Sequence, residues 1–280
     1  MTYICHIPSS PLNTYINRVI YREAPMPFSH AKIFPLPCLN LHINFGGAFQ
    51  VYKADQTEPF TTDTESWWVG LWGEHHIIHW PSDIQILIVE FKPGGAYPFL
   101  NFPLSELHNQ VVSLDAIWGQ FAAEIRERLH AASTIDARFA LLDRLLLTRL
   151  QEVPEELKVV QYALTEISKH RGIMSIRSLS DDIGISQKHL IAQFKRMVGG
   201  TPKELARLYR FKQVLHKIDP ALPVDWTLLA HQMLYYDQSH FNKDFEAFTG
   251  QSPTSYLNLR RKTHTENSEI AKSLLHLPTG

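Results

Sequence analysis

Gln238, Ser239, Asn242 and Lys243 put two amides, a hydroxyl and an ammonium on one side of a short stretch near the end of the chain. These are short or flexible hydrogen-bonding groups of the kind that reads base edges in a DNA groove. The chemistry they offer is recognition, not bond-making. No Ser/His/Asp or Cys/His set stands out elsewhere, and no catalytic residues are expected. Gly94-Gly95 lacks a following Lys-Ser/Thr, so it reads as a turn and not as a phosphate loop. Two cysteines, Cys5 and Cys38, supply neither a disulfide framework nor a four-thiolate zinc site. Metal-ligating residue types gather only in Glu74-His75-His76-Ile77-Ile78-His79. On a strand, His75 and His79 would share a face while His76 points the other way. No carboxylate completes a ligand pattern, so these read as solvated or hydrogen-bonded histidines, and neither a metal nor a cofactor is expected.

The element that must carry the recognition groups is a helix. Asp237 is placed to cap it, because its carboxylate can accept from an unpaired N–H of the first turn. Phe241, Phe245 and Phe248 fall at i, i+4 and i+7 and make one apolar stripe. Gly250 is the stop, and Pro253 is expected to prevent the helix from resuming. An ordinary amphipathic surface helix would look the same. A second copy changes the balance. Ser186-Gln187-Lys188-His189-Leu190-Ile191-Ala192-Gln193-Phe194 repeats a polar cap and an apolar residue four before a Phe, and Gly199-Gly200-Thr201-Pro202 follows. Each copy comes after a short apolar helix, Ile176 to Ile183 and Trp226 to Met233. The pattern is helix, tight turn, helix, twice. Pro202 opens a connecting helix to about Ile218, which at ~1.5 Å per residue spans roughly 24 Å. That is the right order to set two reading helices one DNA turn apart, about 34 Å between groove centres.

Tyr235-Tyr236-Asp237-Gln238-Ser239-His240-Phe241, Phe248-Thr249-Gly250-Gln251-Ser252-Pro253 and Pro202-Lys203-Glu204-Leu205-Ala206-Arg207-Leu208-Tyr209-Arg210-Phe211 are the most specific words of the chain. Through them, Glu155 to Lys262 resembles the DNA-binding domain of the AraC-type (arabinose-regulator) family of bacterial transcription factors. The resemblance implies base-reading positions at Lys188, Ile191 and Ala192 in the first unit, and at Gln238, Ser239, His240 and Lys243 in the second. Lys195, Arg196, Arg207 and Arg210 are then expected at DNA phosphates, with a structural ion pair as the alternative for Arg210. The chain departs from the family pattern at three places. Ile191-Ala192 replaces a charged or polar pair and offers only apolar contact. Leu234 stands where relatives have Gly. Glu246 stands where relatives have Arg or Lys, and a carboxylate there repels phosphate. Weaker or narrower DNA binding than the family norm follows.

The first half reads differently. Leu39 to Phe45 alternates apolar and polar, Gly46-Gly47 is expected to turn it, and Ala48 to Tyr52 to return beside it. Trp67 to Gly73, His76 to Trp80 and Ile84 to Phe91 are further strands. Many short strands argue for a small barrel or sandwich, which often encloses a ligand pocket. Trp67, Trp68, Trp72 and Trp80 are the candidate lining, with core packing as the alternative. Pro8-Ser9, Leu12 and Val89-Glu90-Phe91-Lys92-Pro93-Gly94-Gly95-Ala96-Tyr97 resemble the N-terminal domain of one AraC-type subfamily, which implies a cupin-like sensor or interaction domain. Ile117, Phe121, Ile125 and Leu129, then Arg138 to Leu150, read as a helix pair that packs on the barrel or forms a dimer seam.

The expectation is therefore α+β: a cupin-like β-barrel with flanking helices over 1–153, an all-α double helix-turn-helix domain over 154–262, and a polar, frayed tail over 263–280. Charge divides along the same line. Residues 1–153 hold 10 Lys+Arg against 15 Asp+Glu, and residues 154–262 hold 16 against 11. A basic half suits a polyanion. The expected partners are double-stranded promoter DNA, a small-molecule effector, RNA polymerase if the protein activates, and a second copy in a homodimer. With no run of 18 apolar residues and no basic-then-apolar leader, a cytoplasmic protein without a membrane partner is expected. The rival is a cupin-type metal-binding protein or enzyme with a passenger helix-turn-helix domain.

Overall fold

The computed structural model describes residues 2–23, 30–53, 56–63, 65–100, 102–266 and 276–278, with side chains through 262. Its strands in chain order are β1 (Thr2–His6), β2 (Ile16–Glu23), β3 (His30–Ile33), β4 (Asn40–Asn44), β5 (Phe49–Lys53), β6 (Thr61–Asp63), β7 (Ser66–Val69), β8 (His76–His79), β9 (Gln85–Phe91) and β10 (Val111–Ser113). They form two antiparallel sheets, ordered β1-β2-β9-β4-β7-β10 and β3-β8-β5-β6. The sheets face each other as an open sandwich instead of closing into a barrel. Phe49 of one meets Trp67 of the other at 5.4 Å between ring centroids.

Alternation along the strands builds two cores from the larger sheet. Leu41, Ile43, Leu87, Val89 and Trp68 face the helices. Trp67 and Ile86 face the second sheet with Phe49. The expected hairpin at Gly46-Gly47 does not form. β4 pairs with β7 and β9, while β5 pairs with β6 and β8 in the other sheet. The two glycines make a corner between sheets. A Cβ on Gly46 would lie 2.1 Å from the Asp83 carbonyl oxygen, so only glycine permits that approach.

α1 (Leu114–Trp118) and α2 (Gln120–Ala131) divide the expected first helix at Gly119, whose φ of 56° breaks the ladder. α3 (Ile135–Arg149) starts three residues before the expected Arg138, because Thr134 accepts from the Ala137 N–H and caps it. The helix-facing core runs from Trp68 and Phe91 through Trp118 to Leu142, Leu145 and Leu146 of α3.

The helices of the second half are α4 (Glu156–Lys169), α5 (Ile176–Ile183), α6 (Gln187–Met197), α7 (Pro202–Lys217), α8 (Trp226–Gln232), α9 (Gln238–Thr249) and α10 (Pro253–Glu266). Pro253 opens α10 where it was expected to keep the chain out of helix. It occupies a first-turn position, where the N–H it lacks would have had no helical partner. Of the expected tail, 263–266 continue α10 and residues 276–278 form β11 (His276–Pro278) against β3. Residues 267–275 and 279–280 lie outside the described residues. The core is continuous between the halves: Phe34 packs on Phe211 and Tyr256, with centroids at 6.2 and 5.9 Å.

Candidate nucleic-acid interface

Each candidate reading helix is seated the same way. Ser186 accepts from the His189 N–H and caps α6, and Asp237 accepts from the His240 N–H and caps α9. Such a cap contributes about 1 kcal/mol. Leu190, Phe194 and Met197 of α6 are buried, as are Phe241, Phe245 and Phe248 of α9. Each member of the first trio lies 51 residues before its partner in the second. The same offset joins Lys188 to Ser239, Ile191 to Asn242, Ala192 to Lys243 and Lys195 to Glu246, on the sides turned from the core. All of these are exposed except Ile191 and Asn242, which are half-buried. Two helices thus present equivalent faces for a groove, joined by the 16-residue α7. α7 is itself fixed at its start by a reciprocal cap between Thr201 and Glu204.

The predicted residues do not all share that role. Ser239 and Lys243 centre the exposed face of α9. Gln238 lies at its edge, where its Oε1 accepts from the Thr227 hydroxyl at 2.9 Å. His240 turns aside and packs edge-on against Tyr235 at 5.4 Å. On α6, Lys188, Ala192 and Lys195 centre the face. Arg196 lies at its flank, with its guanidinium 5.7 Å from the Tyr97 ring of the N-terminal half.

Arg207 and Arg210, expected at phosphates with a structural ion pair as the alternative for Arg210, both bond within the domain. Arg207 donates to both carboxylate oxygens of the buried Asp244, at 2.7 and 3.3 Å, and lies over Phe248. Hydrogen bonding to Asp244 holds its pKa above the ordinary arginine value. This pair ties α7 to the inner side of α9. Arg210 donates to the Gly172 carbonyl at 3.2 Å and lies over Tyr235. Asn242 belongs to the hydrogen-bonding face read from the sequence but not to the positions matched to the family; it lies at the 51-residue offset from Ile191.

The four tryptophans do not line one space. Trp67 and Trp80 lie between the sheets with Phe49. Trp72 stacks on His76 at 3.8 Å in an adjoining cluster. Trp68 points the opposite way, stacked on Phe91 and edge-on to Trp118. The histidines also separate. His76 is buried, and desolvation pulls its pKa down to about 4. His79 lies on the outer side against His30 and Tyr52. His75 precedes the strand instead of sharing a face with His79, and its ring lies against Gly250. Among the described residues, no group of three or more His, Cys, Asp or Glu could hold a metal. A cleft of about 550 Å³ opens on the seam between the halves, bounded by Tyr97, Leu100, Phe102, Glu152, Pro154 and Arg196. Among the described residues, no helix is long and apolar enough to cross a membrane.

Two family models match the chain. "Helix-turn-helix domain" matches residues 179–259, and "Domain of unknown function (DUF6597)" matches residues 5–113. No curated protein matches the sequence. Among solved structures, ToxT from Vibrio cholerae O395 is 10% identical over 86% of this chain and 95% of its own, with a TM-score of 0.44. The C-terminal domain of AraT, a response regulator from Geobacillus stearothermophilus, is 21% identical over 38% of this chain and 84% of its own, with a TM-score of 0.33. The AraC-like transcriptional activator CuxR is 12% identical over 75% and 86%, with a TM-score of 0.27. Each of these likenesses is distant, so the weight falls on the family matches and on the geometry.

Proposed function

We propose that this chain is a DNA-binding transcriptional regulator of the AraC type that it resembles, built on its C-terminal helix-turn-helix match, and that it lays α6 and α9 in successive major grooves of a promoter. The observation that carries this is the pair of helices with equivalent outward faces, both capped and both seated on aromatic or aliphatic trios. Lys188 and Lys243 reach guanine O6 and N7, while Ser239, Asn242 and Gln238 offer groups for other base edges. Ile191 and Ala192 contribute apolar contact, such as to thymine methyls. Lys195 and Arg196 take phosphates, which fix register without reading sequence.

The N-terminal sandwich acts as sensor, not as enzyme, and the protein works in the cytoplasm. The seam cleft, with Arg196 of the first reading helix in its wall, is the candidate site for a small-molecule effector. Such a molecule changes DNA binding only by favouring one arrangement of the two halves over another.

The test is fluorescence anisotropy with DNA from immediately upstream of the protein's own gene and an unrelated duplex of equal length, at several salt concentrations. Tight, salt-sensitive binding to the upstream DNA, lost in Gln238→Ala/Lys243→Ala, is the expected result. Equal binding of both duplexes would remove sequence specificity from the proposal, and no binding to either would refute it.

A further inference from the structure

Each reading helix ends at a glycine that adopts a left-handed turn: Gly199 after α6, with φ 96°, and Gly250 after α9, with φ 66°. The two are themselves 51 residues apart, so they are the same position in the two units. Both touch one corner of the N-terminal sandwich, Gly199 buried beneath it and Gly250 still exposed. At Gly199, the carbonyl oxygen lies 2.9 Å from Nδ1 of His108, and a Cβ would come within 3.1 Å of the Leu104 carbonyl oxygen. At the neighbouring Gly200, a Cβ would fall 2.5 Å from Leu71 Cδ2. At Gly250, a Cβ would fall 2.3 Å from His75 Nε2. Leu71 and His75 lie on the β7–β8 loop, and Leu104 and His108 on the segment before β10. These two segments are bonded to each other. The Asn109 N–H donates to the Leu71 carbonyl at 2.9 Å, the Gly70 N–H to the Gln110 carbonyl at 3.0 Å, and the Gly73 N–H to Asn109 Oδ1 at 2.8 Å. The corner is one bonded unit that touches both helix ends.

We propose that the 70–75 and 104–110 segments form a bracket that sets the separation of the two reading helices, with His75 and His108 as positioning residues. α7 connects the two units along the chain and is packed on α9 through Arg207–Asp244 and Phe211. Contact at both glycine turns adds a tie at the C-terminal ends of the two reading helices. The glycines fit the bracket beyond their dihedrals, since a Cβ at Gly250 would displace the His75 ring and one at Gly199 would crowd the Leu104 carbonyl. The inference rests on α6 and α9 being the reading helices, but its measurement needs no DNA.

Spin labels placed through Lys188→Cys and Lys243→Cys, both exposed positions, report the helix separation by double electron–electron resonance. Exposed Cys5 is first replaced by Ser. Half-buried Cys38 is replaced by Ser as well, so that only the two introduced thiols take label. The full chain is expected to give one narrow distance distribution, and His75→Ala/His108→Ala to broaden it at least twofold. Gly250→Ala is expected to do the same. Gly184→Ala is expected to leave the width unchanged, because that glycine has the same left-handed backbone but nothing within 4 Å of a Cβ. If Gly250→Ala fails to fold, the histidine pair carries the test. An unchanged mean and width in His75→Ala/His108→Ala would overturn the bracket, as would equal broadening by Gly184→Ala. If DNA titrations fail while this distribution still responds, the fault lies with the DNA reading and not with the bracket.

Discussion

Removing Arg207 separates a structural arginine from a phosphate-binding one. Its guanidinium makes two bonds to Asp244, whose side chain is 8% exposed, while its own side chain is 36% exposed. Stripping the partner from a buried carboxylate costs about 3–5 kcal/mol when both groups are buried. Water reaches this guanidinium, which reduces the figure to about 2–3 kcal/mol. For a domain of this size, that corresponds to roughly 5–10 °C in Tm. Asp244→Ala should cost less than Arg207→Ala, because the stranded arginine can be solvated and the stranded aspartate cannot. The assay is thermal unfolding by circular dichroism of both single variants and the double, combined as a double-mutant cycle. Salt-dependent DNA titrations follow on the same proteins. Arg207→Ala is expected to keep the wild-type slope of log K against log salt, while Lys195→Ala flattens it by about 0.9. If Arg207→Ala melts within 1 °C of wild type and flattens the slope as Lys195→Ala does, the assignment of Arg207 to the fold is refuted.

Leu234 holds a φ of 50° with its side chain 62% exposed, so Leu234→Gly loses little packing and relieves left-handed strain; Tm should rise, with a gain of about 1 kcal/mol in denaturant unfolding. His76 is fully buried, and desolvation lowers its pKa from 6.5 to about 4. Because the folded value lies below the unfolded one, its contribution is complete above pH 6.5 and is lost as pH falls toward 4, by up to about 3 kcal/mol. Denaturation midpoints should therefore decline between pH 6.5 and 4, and His76→Gln should flatten that decline. Glu246 sits at the position equivalent to Lys195, so Glu246→Lys should tighten binding to any duplex and steepen the salt slope by about 0.9; an unchanged slope would place that end of α9 away from phosphate.

The helices of the second half were legible in the sequence because their signals are local. A cap at Ser186 or Asp237, an apolar residue every turn and a left-handed glycine all act within a few residues, whatever the chain folds against. The two sheets were legible as strands by the same logic of alternation. Pro253 was misread because its local effect is ambiguous: it forbids an interior helical position and favours a first one. What no local signal carries is which distant group a side chain meets. For Arg207 the local sequence suggests a phosphate ligand and says nothing of Asp244, 37 residues away, to which it bonds. Gly46-Gly47 looked like a hairpin turn because both hairpins and sheet-crossing corners need glycine, and only Asp83 against its backbone distinguishes them. Trp67 and Trp68 looked like one lining, although period-two alternation already sends neighbours to opposite faces; the surroundings of each face were decided by packing. Likewise, the repeated glycine after each reading helix was visible as punctuation, but the loops that rest on both came from the other half of the chain. The sequence by itself determined most of the elements and their outward faces, since those depend on short-range backbone and periodicity rules. Tertiary structure decided which charges face outward and what holds the two helices apart, since burial and pairing are properties of groups brought together only by the fold.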